Sequence, residues 1–259
     1  MARSACRQPV RAWRQPRIPG RRESDTRGAG KSRVIIEPVS EDSVLIRFGD
    51  TLDEQLTPRI LAAQQTITEQ LGDWIIDQVP AYTTLLVVYD LHKVDFRRVI
   101  RAIEFILTAT GRDTSEPATA GRMIELPVYY HPDVGLDLEA LAEQAGLSID
   151  DVIQRHTATT YRVFAMGFAP GFGFMGTVDP SIAAPRKTTP RQRVPAGSVG
   201  IANQQTAVYP SVSPGGWNII GRCPTQLFSL DSLSLLQTGD RVFFTSISRE
   251  EFLAQGGEL

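Results

Sequence analysis

Five cations in the second half of the chain carry the chemistry needed to capture an anion. They lie within a segment rich in glycine and proline, Gly167–Pro224, and are Arg186, Lys187, Arg191, Arg193 and Arg222. The planar guanidinium group of arginine can donate two parallel hydrogen bonds to a carboxylate or a phosphate. The residue types alone leave two interpretations open, a solvated basic loop or an anion site, and for Lys187 we predict the solvated loop.

The segment that carries these cations predicts shaped loops. It holds 9 of the 21 glycines and 8 of the 17 prolines in the chain, with large apolar side chains between them. Glycine permits backbone angles that other residues avoid, and proline fixes its own φ. Rigid loops that carry arginines are a common location for binding and catalysis, so we expect any functional site to lie here.

Two glycine-rich turns in this segment bring backbone close to a ligand. Gly167–Phe172 can point its N–H groups at an anion or a developing oxyanion, or it can be a barrel corner packed on Phe168 and Phe172. In Ser213–Trp217, two adjacent glycines let a substrate approach the backbone, and Trp217 can form a wall of the same cavity.

Two further residues carry reactive side chains. His156 stands at the end of a predicted helix, where it acts either as a cation that stabilises the helix terminus or as a general acid or base. Cys223 has no histidine near it in sequence, and we predict a structural role. No group of His, Cys and Asp residues has metal-ligand spacing, so no metal site is predicted.

Several long motifs resemble one known family. The motifs are GFxPGF from Gly167, PRxxVPAGSV from Pro190, QTxVYP from Gln205 and SPGGWxxIGRxP from Ser213. The likeness extends upstream through HTATTYRV and VPAYTTLLVVYD and covers roughly residues 34 to 250. Together these motifs resemble the 5-oxoprolinase B-subunit family, which is also described as allophanate hydrolase subunit 1 or as the Kip-type kinase-inhibitor family.

The resemblance implies a set of site residues. It places Arg191, Arg193 and Arg222 inside matching motifs, and we predict His156, Arg191 and Arg222 as catalytic residues. The predicted substrate-binding residues all lie in or beside these motifs and are Gly167, Phe168, Pro170, Gly171, Phe172, Arg193, Ser198, Gln205, Tyr209, Ser213, Pro214, Gly215, Gly216 and Trp217.

The resemblance also implies an activity. It is the ATP-dependent hydrolysis of 5-oxo-L-proline to L-glutamate, performed with companion proteins similar to the A and C subunits of that enzyme. Because no nucleotide-binding motif stands out in this chain, we expect ATP to bind a companion subunit or a composite site. Two alternatives remain: a part of a biotin-dependent carboxyltransferase or allophanate hydrolase, and a regulatory inhibitor of a sensor histidine kinase.

Composition narrows the class of protein. Residues 1–33 carry a charge of +8, whereas the remaining body carries −10, which argues against nucleic acid as a partner. We predict that this basic segment is a disordered extension. No apolar run approaches the roughly 20 residues of a membrane span. Only two cysteines occur, far apart, and this pattern predicts a cytoplasmic protein.

The elements that must position these residues follow from hydrophobic spacing. Residues 43–130 predict the order β-α-β-β-α-β, typical of a ferredoxin-like fold, with an N-cap at Thr57 and Pro58 at the first helical position. From Thr159 onward, short strands between turns predict a closed or nearly closed antiparallel barrel. The family resemblance implies that this barrel is cyclophilin-like. We therefore predict a ferredoxin-like α+β domain over 34–118 and a barrel domain over 119–259.

Overall fold

Helices and strands alternate in the first half of the molecule, and strands dominate the second. The computed structural model describes residues 34–110 and 121–259, so the predicted disordered extension over 1–33 lies outside the described residues. The strands of the first half are β1 Ile35–Ser40, β2 Ser43–Arg47, β3 Ile75–Ala81 and β4 Thr84–Tyr89. The helices that accompany them are α1 Leu56–Leu71 and α2 Phe96–Thr110.

The second half contains most of the short strands. Its strands are β5 Met123–Val128, β6 Thr160–Met166, β7 Gly173–Gly176, β8 Arg191–Val194, β9 Ser198–Ala202, β10 Gln205–Val208, β11 Ser213–Gly215, β12 Asn218–Arg222, β13 Phe228–Ser229, β14 Leu233–Ser234 and β15 Arg241–Ser246. Its helices are α3 Leu138–Ala145, α4 Ile149–Thr157 and α5 Arg249–Ala254. The fold is therefore α+β with a large, mainly antiparallel sheet.

The first half contributes four strands, covered by α1 and α2, to the large sheet, which continues from β3 to β6 where Ala81 lies opposite Ala165. The strand order is β1-β2-β4-β3, and all of these pairs are antiparallel. Apolar residues at helical spacing bury one face of α1, including Ile60, Ala63 and Ile67, against alternate residues of the sheet such as Leu85 and Val87. The predicted helical spacing of this half is confirmed.

The start of α1 differs from the sequence prediction. The helix begins at Leu56, one residue before the predicted N-cap Thr57, because the Leu56 N–H already donates to the Asp53 carbonyl at 3.0 Å. An Asp53 carboxylate oxygen accepts from the Gln55 N–H at 2.9 Å. Thr57 lies inside the first turn, where its buried hydroxyl has no hydrogen-bond partner among the described residues.

The strand at Met123 pairs differently from the prediction. We expected it to complete the β-α-β-β-α-β unit, but β5 runs parallel to β15, with Met123 opposite Arg241. The place beside β2 is taken by β1, whose five paired positions from Ile35 to Ser40 form a hairpin with β2. The entropy cost of loop closure is smaller for a short hairpin between β1 and β2 than for a strand that returns from residue 123, and this difference favours the observed arrangement.

The strands of the second half close into a ring. Successive pairings join β6, β7, β10, β9 and β12, while β15 joins β5 to β6. The gap between β12 and β5 is bridged at Arg222 and Tyr129, which exchange two backbone hydrogen bonds of 2.9 Å. Buried residues such as Val163, Val199 and Phe244 belong to the core of this half.

Two local signals before the ring are confirmed. α3 ends at Gly146, whose φ of 65° is left-handed and suits a glycine C-cap. Ser148 and Asp151 form the predicted capping box at the start of α4. Within residues 34–110 and 121–259, no helix combines the length and apolar character that a membrane crossing requires.

Candidate functional site

An aromatic cavity of about 220 Å³ opens among the loops of the second half. Its walls are the rings of Phe168, Phe172, Phe174, Tyr209 and Trp217. Backbone at Gly215 and Gly216 lines another side, and Arg186 and Lys187 stand at its border. The cavity therefore combines flat apolar walls with positive charge, the combination that suits a small planar anion.

The ring of Phe172 organises the aromatic walls. It is 2% exposed and meets Phe174, Tyr209 and Trp217 edge-to-face, at centroid distances of 4.8, 5.4 and 5.8 Å. Edge-to-face contacts place the positive ring edge against the negative face of a neighbour and fix ring orientation. The walls are consequently built before any ligand arrives.

The predicted turn at Gly167–Phe172 carries backbone that is unusual for an aromatic residue. Phe168 has a φ of 71° and is 63% exposed, although a bulky residue rarely adopts left-handed backbone. Its ring lines both the aromatic cavity and a neighbouring groove of about 840 Å³ formed beside the turn, with Gly167, Pro170 and Gly171. Strained backbone of this kind clusters at ligand sites.

A single carboxylate, that of Asp137, holds the basic loop beside the cavity. Asp137 is 4% exposed and precedes α3. Its oxygens accept both terminal N–H groups of Arg191 at 2.7 and 2.8 Å and the Lys187 ammonium at 2.5 Å. They also accept the backbone N–H of Ile219 at 2.8 Å. The carboxylate thus joins α3, β8, β12 and the loop between β7 and β8.

The charge state of Asp137 follows from these contacts. Burial by itself raises the pKa of the carboxyl, but hydrogen bonds from Arg191, Lys187 and Ile219 outweigh it and hold the pKa below its ordinary value. The group is therefore an anion at neutral pH. Lys187, which we predicted as a solvated loop residue, is instead bonded to a buried carboxylate because the fold brings α3 to it.

The predicted arginines do not form one cluster. Arg191 pairs with Asp137, whereas Arg193 is exposed on β8. Arg222 donates from Nε to the Ala196 carbonyl at 2.9 Å, beside the turn that precedes β9, and burial lowers its pKa. Neither Arg193 nor Arg222 lines the aromatic cavity.

Some of the remaining predicted binding residues line the aromatic cavity and others lie away from it. Ser198 is 1% exposed within β9, and Gln205 donates to the Tyr82 hydroxyl at 3.1 Å. Ser213 and Pro214 belong to β11, which pairs with β8 and so positions the two glycines that follow. The predicted residues that the structure does bring together around the aromatic cavity are Phe168, Phe172, Tyr209, Gly215, Gly216 and Trp217.

His156 lies in a buried chain of hydrogen bonds. The residue is 0% exposed; its Nδ1 is 2.7 Å from the Tyr130 hydroxyl and its Nε2 is 2.9 Å from the Thr206 hydroxyl. Because the Thr206 hydroxyl donates to the Gly200 carbonyl, it accepts from Nε2–H, and Nδ1 accepts from Tyr130. A neutral imidazole satisfies every member of this chain.

Burial keeps His156 uncharged and away from the cavity. Desolvation lowers its pKa from 6.5 to about 3, so the helix-terminus cation that we considered is wrong at neutral pH. The predicted role as a catalytic base finds no support in this geometry, because the residue is fully buried and both ring nitrogens are occupied. Cys223 is likewise 3% exposed, and burial raises the pKa of its thiol.

Three residues of this site were not among the predicted site residues, although Arg186 was counted among the five candidate cations. Phe174 supplies a cavity wall, Arg186 lies at the border with its guanidinium carbon 5.9 Å from the Trp217 ring centroid, and Asp137 anchors the loop. The one sequence signal for Asp137 is a carboxylate between Leu136 and Leu138, which is weak. Within the described ranges, no group of His, Cys, Asp and Glu side chains is arranged to hold a metal ion.

We expect Gly215→Ala to destabilise the protein and Gly216→Ala to change it little. A Cβ at Gly215 meets the Tyr209 ring at 2.8 and 2.9 Å, whereas one at Gly216 has its nearest neighbours at 3.6 Å. Overpacking of this kind reduces the free energy of unfolding by about 1–3 kcal/mol. Urea denaturation of both variants measures the difference, and equal stability of the two would show that the Tyr209 ring does not limit this position.

We expect Asp137→Ala to lower the free energy of unfolding by about 3 kcal/mol, because it leaves two cations and a buried N–H without their shared acceptor. Asp133→Ala is the matched control, since that carboxylate is exposed and its side-chain contact is with the exposed His131. Its effect should stay within about 0.5 kcal/mol. Denaturant titration at neutral pH tests the pair, and a loss of similar size in both variants contradicts the anchoring role.

We expect His156→Gln to flatten the acid side of the stability profile. The folded pKa of about 3 lies below the ordinary 6.5, so between these values only the unfolded chain binds the proton. This group's contribution is complete above pH 6.5 and falls by about 1.4 kcal/mol per pH unit as pH drops towards 3. Unfolding free energies at pH 7 and pH 5 measure the slope, with the exposed His92→Gln variant as control. An unchanged slope in His156→Gln would refute the assignment.

Comparison with known proteins shows which family the chain resembles. Residues 34–235 match the family model of the carboxyltransferase domain, subdomain C and D. The chain is 40% identical over 232 residues to the 5-oxoprolinase B subunit of Bacillus subtilis strain 168, covering 86% of this chain and 96% of that protein. It is 35% identical over 227 residues to the protein of the same name from Haemophilus influenzae, covering 86% and 99%.

Solved structures share the fold of this chain. The chain superposes on the crystal structure of TTHA0988 with a TM-score of 0.69 and 35% identity, covering 80% of this chain but 40% of that one. The urea carboxylase of Kluyveromyces lactis shares the fold, with a TM-score of 0.67 at 15% identity, over 85% of this chain and 22% of that enzyme. The extent and identity of these matches show that the chain belongs to the carboxyltransferase subdomain C and D family and, within it, to the 5-oxoprolinase B-subunit proteins.

Proposed function

We propose that this chain is a subunit of an ATP-dependent 5-oxoprolinase, which hydrolyses 5-oxo-L-proline to L-glutamate together with companion subunits. The observation that carries the proposal is the 40% identity to the 5-oxoprolinase B subunit of Bacillus subtilis over almost all of that protein. A protein named as one subunit implies partners, and we propose proteins similar to the A and C subunits in this role.

The aromatic cavity suits the proposed substrate. Its volume of about 220 Å³ is below the roughly 300–1,000 Å³ of pockets for drug-sized ligands, so it selects for small molecules. The flat walls complement a five-membered lactam ring, and the Arg186 guanidinium at the border complements its carboxylate. The pre-ordered rings around Phe172 let the ligand bind without ordering the loop.

The chemistry of the reaction divides between this chain and its partners. Hydrolysis adds water to the lactam carbonyl carbon and breaks the C–N bond, which leaves a carboxylate and an amine. In the described part of the chain, no carboxylate or imidazole lines the cavity. We propose that this chain binds and orients the lactam, and that a companion subunit activates the amide and the water.

Neither of two larger cavities offers charged groups that suit ATP. The groove of about 840 Å³ has sufficient volume, but none of the described residues that line it is charged. A second hollow of about 650 Å³, between the start of β1 and α2, carries Glu104, which repels phosphate. We therefore propose that ATP binds a companion subunit or a composite site.

We also propose that residues 34–118 form a variant ferredoxin-like domain in which β1 takes the place predicted for the last strand, and that residues 119–259 form a cyclophilin-like barrel. Two separate apolar cores support this division, one around Ile46, Ile67 and Val99 and one around Val163 and Val199. The cytoplasmic location inferred from cysteine usage stays a prediction.

The first test is glutamate release. Companion subunits co-expressed with this chain and supplied with 5-oxo-L-proline and ATP should release L-glutamate, and the same preparation without this chain should release almost none. Coupled detection of glutamate and of ADP measures both products. The expectation follows from the loss of the proposed lactam site when the chain is omitted.

A complex that assembles fully and yet releases no glutamate would overturn this function. Carboxylation of a small amide by the same complex would then favour the carboxyltransferase alternative, which the match to a carboxyltransferase domain supports. Inhibition of a sensor histidine kinase by the purified chain would favour the regulatory alternative.

A further inference from the structure

Asp137 binds two of the five cations of the basic segment, Lys187 at the border of the aromatic cavity and Arg191 on β8. Both terminal nitrogens of Arg191 and the ammonium of Lys187 are bonded to its buried carboxylate. An anionic ligand that recruited Arg191 would have to break a bidentate pair and leave the carboxylate partly unpaired, which is unfavourable in a buried setting. These two cations are therefore committed to the fold.

Arg186 is different, because it is exposed and no described carboxylate pairs with it. In residues 34–110 and 121–259 it forms no ion pair and no side-chain hydrogen bond, and its guanidinium carbon lies 5.9 Å from the Trp217 ring centroid. Its charge still reaches the cavity. Burial raises the pKa of Tyr209, and the positive field of Arg186 opposes that rise.

The backbone on both sides of Arg186 is fixed. The Asn218 side chain donates from Nδ2 to the Pro185 carbonyl at 2.9 Å, and the Lys187 N–H donates to the Gly216 carbonyl at 2.8 Å. These bonds attach the loop to the strand and turn that form the glycine side of the cavity. An arginine held in this way has little backbone freedom to lose when it binds.

We propose that Arg186 is the residue that binds the carboxylate of a small cyclic amide whose ring lies against the aromatic walls of the cavity. Arg191 and Lys187 are positioning residues in this arrangement: through Asp137 they hold the loop that presents Arg186. The inference rests on the proposed function for the choice of lactam, and it replaces Arg191 by Arg186 as the anion-binding arginine.

The test compares two ligands that differ in one group. 5-Oxo-L-proline carries the carboxylate, and pyrrolidin-2-one is the same ring without it. Calorimetry on the co-expressed complex, without ATP, should show that the wild type prefers 5-oxo-L-proline by about 10- to 100-fold, the range expected for a charge-assisted hydrogen bond. Arg186→Gln should abolish this preference while affinity for pyrrolidin-2-one changes little, and Arg186→Lys should retain part of it.

Arg98→Gln is the matched control. Arg98 also lies over a tryptophan ring, 4.8 Å from the centroid of Trp74, but it is on α2 in the first half of the chain. This variant should keep the full preference for the carboxylated ring. A preference that survives in Arg186→Gln, that falls equally in Arg98→Gln, or that is absent from the wild type overturns the inference.

Failure of the inference and failure of the proposed function give different results. If the complex releases glutamate and Arg186→Gln leaves its KM for 5-oxo-L-proline unchanged, the function stands and the role of Arg186 is wrong. If Arg186-dependent binding of the carboxylated ring is measured but no glutamate is released, the binding site stands and the hydrolase assignment is wrong.

Discussion

The carboxylate of Asp137 joins parts of the chain that are distant in sequence, and the geometry of the site depends on it. It accepts from Lys187, Arg191 and the backbone of Ile219, which are 50, 54 and 82 residues away. Burying a carboxylate is unfavourable unless its oxygens accept hydrogen bonds, and here they accept hydrogen bonds from four N–H donors. The start of α3, the basic loop and β12 are consequently fixed relative to one another, and the aromatic rings pack on the frame that results.

The second polar centre of the molecule works on the opposite principle. Around His156, every donor and acceptor is neutral. Tyr130 donates a hydrogen bond to His156, His156 donates to Thr206, and Thr206 donates to the Gly200 carbonyl. Such a chain needs no charge compensation and tolerates complete burial. The network around His156 thus stabilises the interior of the ring of strands without charge, whereas the charged cluster around Asp137 lies in the loops beside the cavity. This separation explains why a histidine with a suggestive sequence setting has no access to substrate.

The sequence predicted local features well and distant partnerships poorly. Gly146 as a C-cap and Ser148 with Asp151 as a capping box depend on a few adjacent residues, and both are present. The start of α1 was placed two residues too late, at Pro58 instead of Leu56, because Asp53, rather than Thr57, supplies the acceptors at its N-terminus. The glycine-rich and aromatic motifs identified most of the cavity walls.

The anchoring of the cations could not be read from the sequence. Arginines in one basic segment look equivalent until the fold decides which of them contacts a carboxylate, and in the folded chain Arg191 pairs with Asp137 while Arg186 lies at the cavity. The lowered pKa of His156 could not be predicted from the sequence for the same reason, because desolvation depends on burial in the fold and not on neighbours in sequence. Tertiary contacts of this kind become visible only when the strands are paired.

The pairing of β5 with β15 also has a consequence for the order of folding during synthesis. Residues 123–128 must wait for residues 241–246 before they gain their strand partner, whereas β1 to β4 pair within about fifty residues of one another. Contacts between distant segments form late because loop closure must come first. On the ribosome, the first sheet can therefore become native while the barrel is still an open set of strands with unpaired edges, and exposed edges of this kind favour aggregation. A nascent chain of this protein is therefore most prone to aggregation just before its last strand emerges, and a chaperone would protect it most at that stage.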